Sequence, residues 1–426
     1  MNNKTLAALL ATTAVLLGLA DTAGAQAAPE AVIAHYADIA EAKYSDSLTT
    51  AKALDSAIDA LLASPSDVTL QAARNAWRAA RIPYQQTEVY RFGNPIVDDW
   101  EGRVNAWPLD EGLIDYVDAD YYGSESDENT LFTANVIAND RLIINGQAVD
   151  ASRITPQLIS QTLQEAGGIE ANVASGYHAI EFLLWGQDLN GNGPGAGNRP
   201  ATDFSLEHCT GGHCDRRREY LAAASDLLIA DLAEMAADWS AGGAARKALE
   251  ERGIAGGLST ILTGMGSLSY GELAGERMKL GLLLGDPEEE HDCFSDNTHN
   301  SHLYDAVGIR NAYLGTYTRP DGSVLSGPSL SELVAAKDAA IDGELKADLD
   351  ATIAAMEAMA KRAETVEAYD QMIATGNAEG NATVQAAIDG LVKQTKSIER
   401  VIAALDLGTI ELEGSDSLDN PNAVFQ

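Results

Sequence analysis

Apolar residues recur at three- and four-residue spacing along most of the chain, which is the pattern of amphipathic α-helices. Alanine and leucine, which favour helices, are frequent in these segments. Helix-start signals precede two of them, at residues 64–67 and at Thr155-Pro156. The pattern predicts helical segments at residues 30–63, 67–92, 153–186, 214–240, 244–262, 267–284, 330–342, 345–374 and 380–404.

Alternating β-type runs are scarce, and they predict at most a small β-hairpin at residues 141–149, turning at Asn145-Gly146. Long helices joined by short turns are typical of up-and-down bundles. We therefore expect an all-α protein made of two packed bundles, at residues 30–240 and 241–405, followed by an acidic tail at 406–426. Long irregular loops are expected at residues 93–152, 186–213 and 285–329.

The first 25 residues have the composition of a secretory signal. Lys4 precedes an apolar stretch from Leu6 to Leu19, and the small residues at 23–25 suit cleavage. No later segment contains the roughly 18 apolar residues of a membrane helix, and no cysteine follows the apolar stretch as a lipid attachment point. We expect a signal peptide at residues 1–25 and a periplasmic or exported protein, with membrane association as the alternative.

The chain of 426 residues has a formal net charge of −36. Such a charge repels nucleic acids and anionic membrane surfaces, so neither is expected as a partner. It also raises the local concentration of cations, which suits a metal-handling protein.

Two of the three cysteines, Cys209 and Cys214, lie in one Gly-rich turn. In an oxidising compartment such a pair favours a disulfide. The alternative is a zinc clip that also uses His208 and His213. Cys293 is left over, either as a buried free thiol or as part of a site.

His178 and Glu181 lie three residues apart within an otherwise apolar run. On a helix this spacing places both side chains on one face, within reach of a common metal ion. Burying such groups without partners is costly, so the pair needs a partner. The alternative is a hydrogen-bonded pair in the protein core. The zinc-hydrolase motifs H-E-x-x-H and H-x-x-E-H are absent.

Three further polar stretches, at residues 77–93, 105–116 and 275–299, combine acids with aromatic, arginine or histidine residues. Each has a structural alternative: a salt-bridged bundle helix, an acid-rich helix N-terminus, and a solvated acidic surface. A fourth stretch resembles a calcium loop, since Asp188, Asn190, Asn192 and Gly193 have the required spacing. The pattern fails at its twelfth position, where Arg199 replaces the bidentate acid.

Together, Gly176-x-His178-x-x-Glu181, the run Trp-Pro-Leu-Asp-Glu at 107–111 and the segment 289–299 resemble the imelysin-like family. This family includes iron-regulated protein A and the insulin-cleaving membrane protease. The resemblance spans roughly residues 30–405 and implies an exported bacterial protein of two helical bundles that is linked to iron uptake. It also implies a metal-binding or functional site at the motif, near the junction of the bundles. Some members are anchored by a lipidated cysteine, which this sequence lacks.

Three functions are compatible with these residues. The first is a metal-binding protein of iron acquisition, with His178, Glu181, Glu88 and Glu111 as ligands of iron or, alternatively, zinc. Its partner would be an iron-uptake permease or an outer-membrane receptor. The second is a metallopeptidase at the same pair, and the third is a peptide or small-ligand binding module. We expect orienting or cleft-lining roles for Arg81, Tyr84, Asp110, Trp107, Tyr177, Trp185, Arg277, Glu290, His291 and His299.

Overall fold

The computed structural model describes residues 27–425, which are predominantly helical. The predicted signal peptide at residues 1–25 lies outside the described residues. The α-helices are α1 (Pro29–Ala63), α2 (Asp67–Gln85), α3 (Pro95–Glu101), α4 (Pro156–Leu158), α5 (Gly176–Trp185), α6 (Cys214–Trp239), α7 (Ala244–Glu250), α8 (Gly253–Ser267), α9 (Leu280–Leu284), α10 (Thr298–Leu314), α11 (Leu330–Lys337), α12 (Ala339–Thr365), α13 (Tyr369–Ile373), α14 (Ala378–Ala404) and α15 (Asp416–Asp419).

The first bundle is built on α1, α2 and α6, with α5 packed against α2 and α6. Helix α2 begins at a capping box, in which the Ser66 hydroxyl accepts a bond of 3.3 Å from the backbone N–H of Thr69. It ends at Gln85, short of the predicted residue 92 and two residues after Pro83, whose missing N–H weakens the last turns. A 3₁₀ turn at Glu88–Tyr90 follows.

The second bundle is built on α12 and α14, which pack against each other, with α10 and α11 against α12. The bundles meet where α2 contacts α10 and α1 contacts α8. The predicted boundary at residue 241 falls in the turn between α6 and α7, although α7 packs against α1, α3 and α6 of the first bundle.

The all-α prediction is confirmed, with two short antiparallel hairpins. The predicted hairpin is formed by β1 (Arg141–Ile144) and β2 (Gln147–Asp150), with Asn145 and Gly146 at positive φ in the turn. The second, β3 (Thr316–Thr318) with β4 (Val324–Ser326), lies in a segment predicted to be irregular. No helix within residues 27–425 is long and apolar enough to cross a membrane.

Several predicted segments were wrong in detail. Residues 244–262 are divided between α7 and α8, where Gly253 has positive φ, and residues 345–374 are divided between α12 and α13. Residues 153–186 do not form one helix, because Glu165, Gly167 and Gly168 adopt positive φ and separate α4 and a π-helical turn at Ile159–Leu163 from α5. Residues 285–329 are not a loop throughout, since they contain the 17-residue helix α10. Its first half buries His299, Ser301 and Asp305, so no apolar stripe runs the length of the helix for a pattern to detect.

Helix α8 continues without interruption through a π-helical segment, Leu268–Lys279, into α9. The C-terminal residues, predicted as an acidic tail, pack along this segment in part. The Ser417 hydroxyl donates to the carbonyl of Gly275 at 2.9 Å, and the Tyr270 hydroxyl donates to Asp419 at 2.7 Å. The glycine surface at 266, 271 and 275 allows this close approach, since a Cβ at Gly271 would lie 2.7 Å from the carbonyl oxygen of Glu413.

Candidate metal centre

Helix α5 carries the Gly-x-His-x-x-Glu motif and is buried along its whole length. Its first residue, Gly176, has a φ of +79°, and a Cβ there would lie 2.8 Å from the Cα of Val104. The Tyr177 backbone N–H donates to the Val104 carbonyl at 2.8 Å. Glycine therefore lets α5 begin directly against residue 104, and this start fixes the position of His178 in the first turn.

His178 and Glu181 are fully buried and bonded to each other, at 3.0 Å between Nδ1 and Oε2. The other oxygen of Glu181 accepts from the backbone N–H of Ser295 at 3.0 Å and from its hydroxyl at 2.7 Å. Both oxygens of Glu181 are thus engaged. Burial raises the pKa of Glu181 well above its usual range, and the charge of Asp292 adds to this, while the bonds from Ser295 oppose it.

His291 and Asp292 approach the motif from the loop before α10. Arg81 on α2 donates to Asp292 Oδ1 at 2.8 Å and to Asn105 Oδ1 at 2.5 Å. The other oxygen of Asp292 accepts from the Ser301 hydroxyl at 2.5 Å. Burial opposes ionisation of Asp292, but the Arg81 guanidinium holds the pKa of this carboxyl well below its usual range. Asp292 is therefore a buried carboxylate with its charge balanced.

Ligand atoms of His178, His291 and Asp292 all lie within 4.8 Å of one another, and all three residues are buried. The two imidazole rings meet edge to face, with centroids 4.7 Å apart. Burial, reinforced by the positive charge of Arg81, lowers the pKa of His178 to about 3. Burial likewise lowers the pKa of His291 well below its usual range. Both rings are neutral near pH 7, which is the form that binds metals.

The Nε2 atom of His178 is buried and has no hydrogen-bond partner. Buried polar atoms are rarely left in this state, because each loses its bonds to water. His178 belongs to a group that also holds a second imidazole and a carboxylate. A metal ion at this position would give the free nitrogen a partner.

An acidic cleft with a volume of about 570 Å³ leads to this group. Its lining includes His291, Trp107 and Asn105, so the cleft touches the histidine that belongs to the three-residue group. Trp107 also contacts the ring of His178, with centroids 5.3 Å apart. Acidic residues dominate the remaining lining: Glu101, Glu165, Glu170, Glu272, Glu276, Glu288 and Glu289, against Arg91 and Arg277.

A family model described as imelysin matches residues 40–398, which is most of the chain. The chain belongs to the imelysin family. A stretch of 61 residues is also 38% identical to iron-regulated protein A of Synechococcus elongatus. That match covers 14% of this chain and 17% of the curated relative.

Two solved structures share the imelysin fold over most of their length. One, from Parabacteroides distasonis ATCC 8503, is described as an iron-regulated protein A precursor; it is 20% identical, with a TM-score of 0.63, and the match covers 90% of this chain and 97% of that one. The other is an imelysin-like protein from Psychrobacter arcticum 273-4; it is 17% identical, with a TM-score of 0.54 and coverages of 89% and 97%. At these identities the likeness concerns the fold.

The imelysin motif and the other predicted ligands are not gathered at one point. Glu88 lies outside the group of three and accepts from Arg277 at 2.7 Å. Arg277, in the π-helical segment, also donates to Glu272 at 2.8 Å and to Asp305 at 3.2 Å. Arg277 therefore contacts carboxylates as predicted, but these carboxylates form a network separate from the group of three residues. π-Helical segments are frequent at functional sites.

Glu111 and Asp110 also lie apart from the group. The Gln187 amide donates to Glu111 at 2.8 Å, and the Asn129 amide donates to Asp110 at 2.5 Å. Burial raises the pKa of Glu111 to about 8. Direct ligation of an ion by Glu88, Glu111 or Glu181 stays a prediction.

The predicted aromatic residues have different surroundings. Tyr84 and Tyr177 are fully buried, with ring centroids 4.8 Å apart, and the Arg81 guanidinium lies 5.1 Å from the Tyr177 ring. These rings therefore hold Arg81 in place beside Asp292. Trp185 packs against Trp77 and borders a separate pocket, so of the predicted cleft aromatics Trp107 alone lines the acidic cleft.

Glu290 is adjacent in sequence to His291, yet it belongs to a second group with Asp296 and Asp370. His299 lies in the first turn of α10, and its Nδ1 is buried without a partner. Burial lowers the pKa of His299 to about 4. Its role stays a prediction.

Sequence reasoning missed Asp292 and Ser295, which complete the surroundings of the motif. The available signal was an acid directly after His291, within two residues of Phe294, because a charge so close to apolar residues is often buried with a partner. Asn105 and Ser301 carry no such signal, since they reach Arg81 and Asp292 only after folding.

The predicted disulfide between Cys209 and Cys214 is confirmed, with Cα atoms 5.8 Å apart. The alternative of a zinc clip is wrong, because both sulfur atoms are joined and His208 and His213 are exposed. Cys293 is a buried free thiol, and burial raises its pKa well above the usual range.

Proposed function

We propose that this imelysin-family chain is an exported metal-binding protein that takes part in iron acquisition. His178, His291 and Asp292 would bind the ion. The observation that carries the proposal is the buried, partnerless Nε2 of His178, a residue whose side chain offers a ligand atom within 4.8 Å of those of His291 and Asp292. Two imidazoles and one carboxylate form the donor set of many non-haem iron sites, and zinc accepts a similar set.

Glu181 would act through His178. A metal-bound histidine usually donates its second N–H to a carboxylate, which fixes the ring and makes it a stronger ligand. The bond of 3.0 Å between His178 Nδ1 and Glu181 Oε2 has this arrangement. Ser295 in turn holds the carboxylate, so the motif would consist of one ligand and its orienting partner.

The acidic cleft would concentrate cations at the entrance of the site. Seven glutamates line it against two arginines, and a charged cleft of this kind raises the local concentration of counter-ions. Two relatives are described as iron-regulated protein A or its precursor, which supports iron as the ion. The signal-like N-terminus and the disulfide support export. A permease or receptor partner stays a prediction.

Hydrolysis is the second candidate, and the contacts of Glu181 favour binding over it. A zinc peptidase needs an activated water and a general base beside the metal. Glu181, the carboxylate of the motif, is already bonded to His178 and Ser295 through both oxygens.

The test is metal content and affinity of the purified protein after chelation and reloading with Fe²⁺ under anaerobic conditions, and with Zn²⁺. We expect one bound ion in the wild type. His178→Ala should lower affinity by more than the roughly 10–100-fold that loss of an outer partner costs. His208→Ala, at an exposed histidine, is the matched control and should bind like the wild type.

Equal metal content in the wild type and in folded His178→Ala would overturn the proposal. Circular dichroism checks folding, and His291→Ala provides a second variant. The same preparations are incubated with an unstructured peptide. Metal-dependent cleavage that is lost in Glu181→Gln would favour the peptidase instead.

A further inference from the structure

Three carboxylates meet outside the histidine group: Glu290, Asp296 and Asp370. Glu290 follows a 3₁₀ turn, Asp296 lies in the loop before α10, and Asp370 lies in α13 of the second bundle. Ligand oxygens of the three lie within 4.8 Å of one another. Residues distant in sequence therefore converge on one point.

Each of the three carboxyl groups has a buried oxygen without a close hydrogen-bond partner: Oε2 of Glu290, Oδ1 of Asp296 and both oxygens of Asp370. The Thr298 side chain contacts the Glu290 carboxyl, and the backbone N–H groups of residues 370 and 371 lie near the carboxyl of Asp370. Glu290 and Asp370 are each only 1% exposed. None of the ion pairs found within residues 27–425 includes any of the three, and the nearby Arg78 donates instead to the carbonyl of Ser295.

Buried carboxylates without a partner are costly, since a charge that leaves water must be paired or neutralised. Protonation is one way to neutralise them. A bound cation is the other, and it would also give the free oxygens a partner.

We propose that Glu290, Asp296 and Asp370 form a calcium-binding site separate from the histidine group. Calcium binds oxygen atoms at about 2.3–2.6 Å, so the ligands of one ion lie no more than about 5 Å apart, and the three carboxylates here meet that limit. It also tolerates irregular geometry, whereas magnesium requires a near-ideal octahedron. Three carboxylates from two separate segments suit the more tolerant ion.

The loop at residues 188–193 lies beside this site. The charge of Asp188 acts on all three carboxyls, and the Asn192 amide donates to the backbone carbonyl of Asp370 at 2.9 Å. The sequence of this loop matched a calcium loop except at Arg199, which instead pairs with Asp115 at 2.7 Å. The acidic ligands that this loop lacks would be supplied by Glu290, Asp296 and Asp370.

A bound calcium ion would join α13 to residues 290–296, the segment that contributes His291, Asp292 and Ser295 to the other site.

Isothermal titration of chelator-treated full-length protein with CaCl₂, and thermal unfolding with and without calcium, test this site. We expect one calcium ion per chain in the wild type and equally in His178→Ala. Asp370→Asn should raise the Kd roughly tenfold or more, because calcium affinity depends on the number of charged ligands. Glu357→Gln, at an exposed glutamate on α12, is the control and should bind like the wild type.

Without calcium, Asp370→Asn should be at least as stable as the wild type, because it removes a buried charge that has no partner. Should this variant not fold, Asp296→Asn, at a half-buried position, replaces it. The proposal is overturned if calcium produces neither heat nor a Tm shift in the wild type, or if the Asn variant responds as the wild type does. Equal heat from MgCl₂ would overturn the assignment to calcium.

Discussion

The histidine group and the group of three carboxylates are neighbours in sequence but differ in how their charge is balanced. Glu290 belongs to one group, and the next two residues, His291 and Asp292, belong to the other. Asp292 is paired with the buried guanidinium of Arg81 at 2.8 Å. The group of Glu290, Asp296 and Asp370 shows no such pair within residues 27–425.

Because of this difference, we expect the two groups to bind different metal ions. In the histidine group the charge is already balanced, and what remains free is the lone pair of a neutral imidazole, which suits iron or zinc. In the carboxylate group the charge itself is unbalanced, and its oxygen atoms suit a hard cation such as calcium. Arg81 is paired directly with the acid of the histidine group, whereas the charge of Arg78 acts on Asp296 without forming an ion pair.

The largest expected effect comes from removing Arg81. Arg81→Met would leave Asp292 buried without its partner and Asn105 without its donor, so the free energy of unfolding should fall by about 3–5 kcal/mol. Urea denaturation measures this change. Arg310→Met breaks an exposed pair with Asp350 and should cost about 0–1 kcal/mol. Similar losses in both variants would show that the buried pair has no special role.

Removing the orienting carboxylate should have the next largest effect. Glu181→Gln keeps the size of the side chain but weakens the bond to His178, so affinity for Zn²⁺ should fall about 10–100-fold. Competition with a chromogenic chelator measures the affinity, and Glu357→Gln should leave it unchanged. A loss as large as that of His178→Ala would indicate that Glu181 ligates the ion directly.

In the absence of calcium, the stability of the protein should depend on pH in opposite ways through the carboxylate group and through the histidine group. Burial, reinforced by Asp296, raises the pKa of Asp370 from 3.8 to about 7. Its contribution to stability is therefore present below pH 4 and is lost as the pH rises to about 7, because the unfolded state releases the proton first. The Tm of the wild type should fall relative to Asp370→Asn over this range, by a few degrees.

The buried histidines make the free energy of unfolding depend on pH in the opposite direction. The pKa of His178 is lowered to about 3, so its contribution is lost as the pH falls below about 6.5. The wild type and Asp370→Asn both lose the histidine contribution at low pH. The difference between their curves of Tm against pH therefore reports the effect of the Asp370 carboxyl. Parallel curves from pH 4 to 7 would contradict the expectation.

Ser295→Ala should have the smallest effect. It removes the hydroxyl that donates to Glu181 at 2.7 Å but keeps the backbone N–H bond of 3.0 Å. A free-energy loss of about 1 kcal/mol is expected in metal affinity, which is roughly fivefold. Titration with Zn²⁺ measures it, and an unchanged affinity would show that the backbone bond alone holds the carboxylate.

The helical fold was predictable because most helices bury one apolar face, and because capping signals such as Ser66 mark where helices begin. Helix α10 was not, since its buried positions include His299, Ser301 and Asp305. Such a helix has polar residues where the pattern requires apolar ones, and the same residues form the interior near the site.

The candidate site was predictable only as far as local spacing extends. His178 and Glu181 share a helix, so their contact follows from three-residue spacing. The pairing of Arg81 with Asp292 joins residues 211 positions apart, and no local pattern indicates it. Asp370 is likewise brought to Glu290 only by the packing of the second bundle.

The packing of the chain's end along the π-helical segment matters for anyone who shortens or tags this protein. Residues 412–417 cover the glycine surface at 266, 271 and 275, on the helix that carries Arg277. A truncation at residue 407 would uncover that surface and remove the Ser417 bond to Gly275. An affinity tag is therefore better added after Phe425, which is exposed, than used to replace the C-terminal residues.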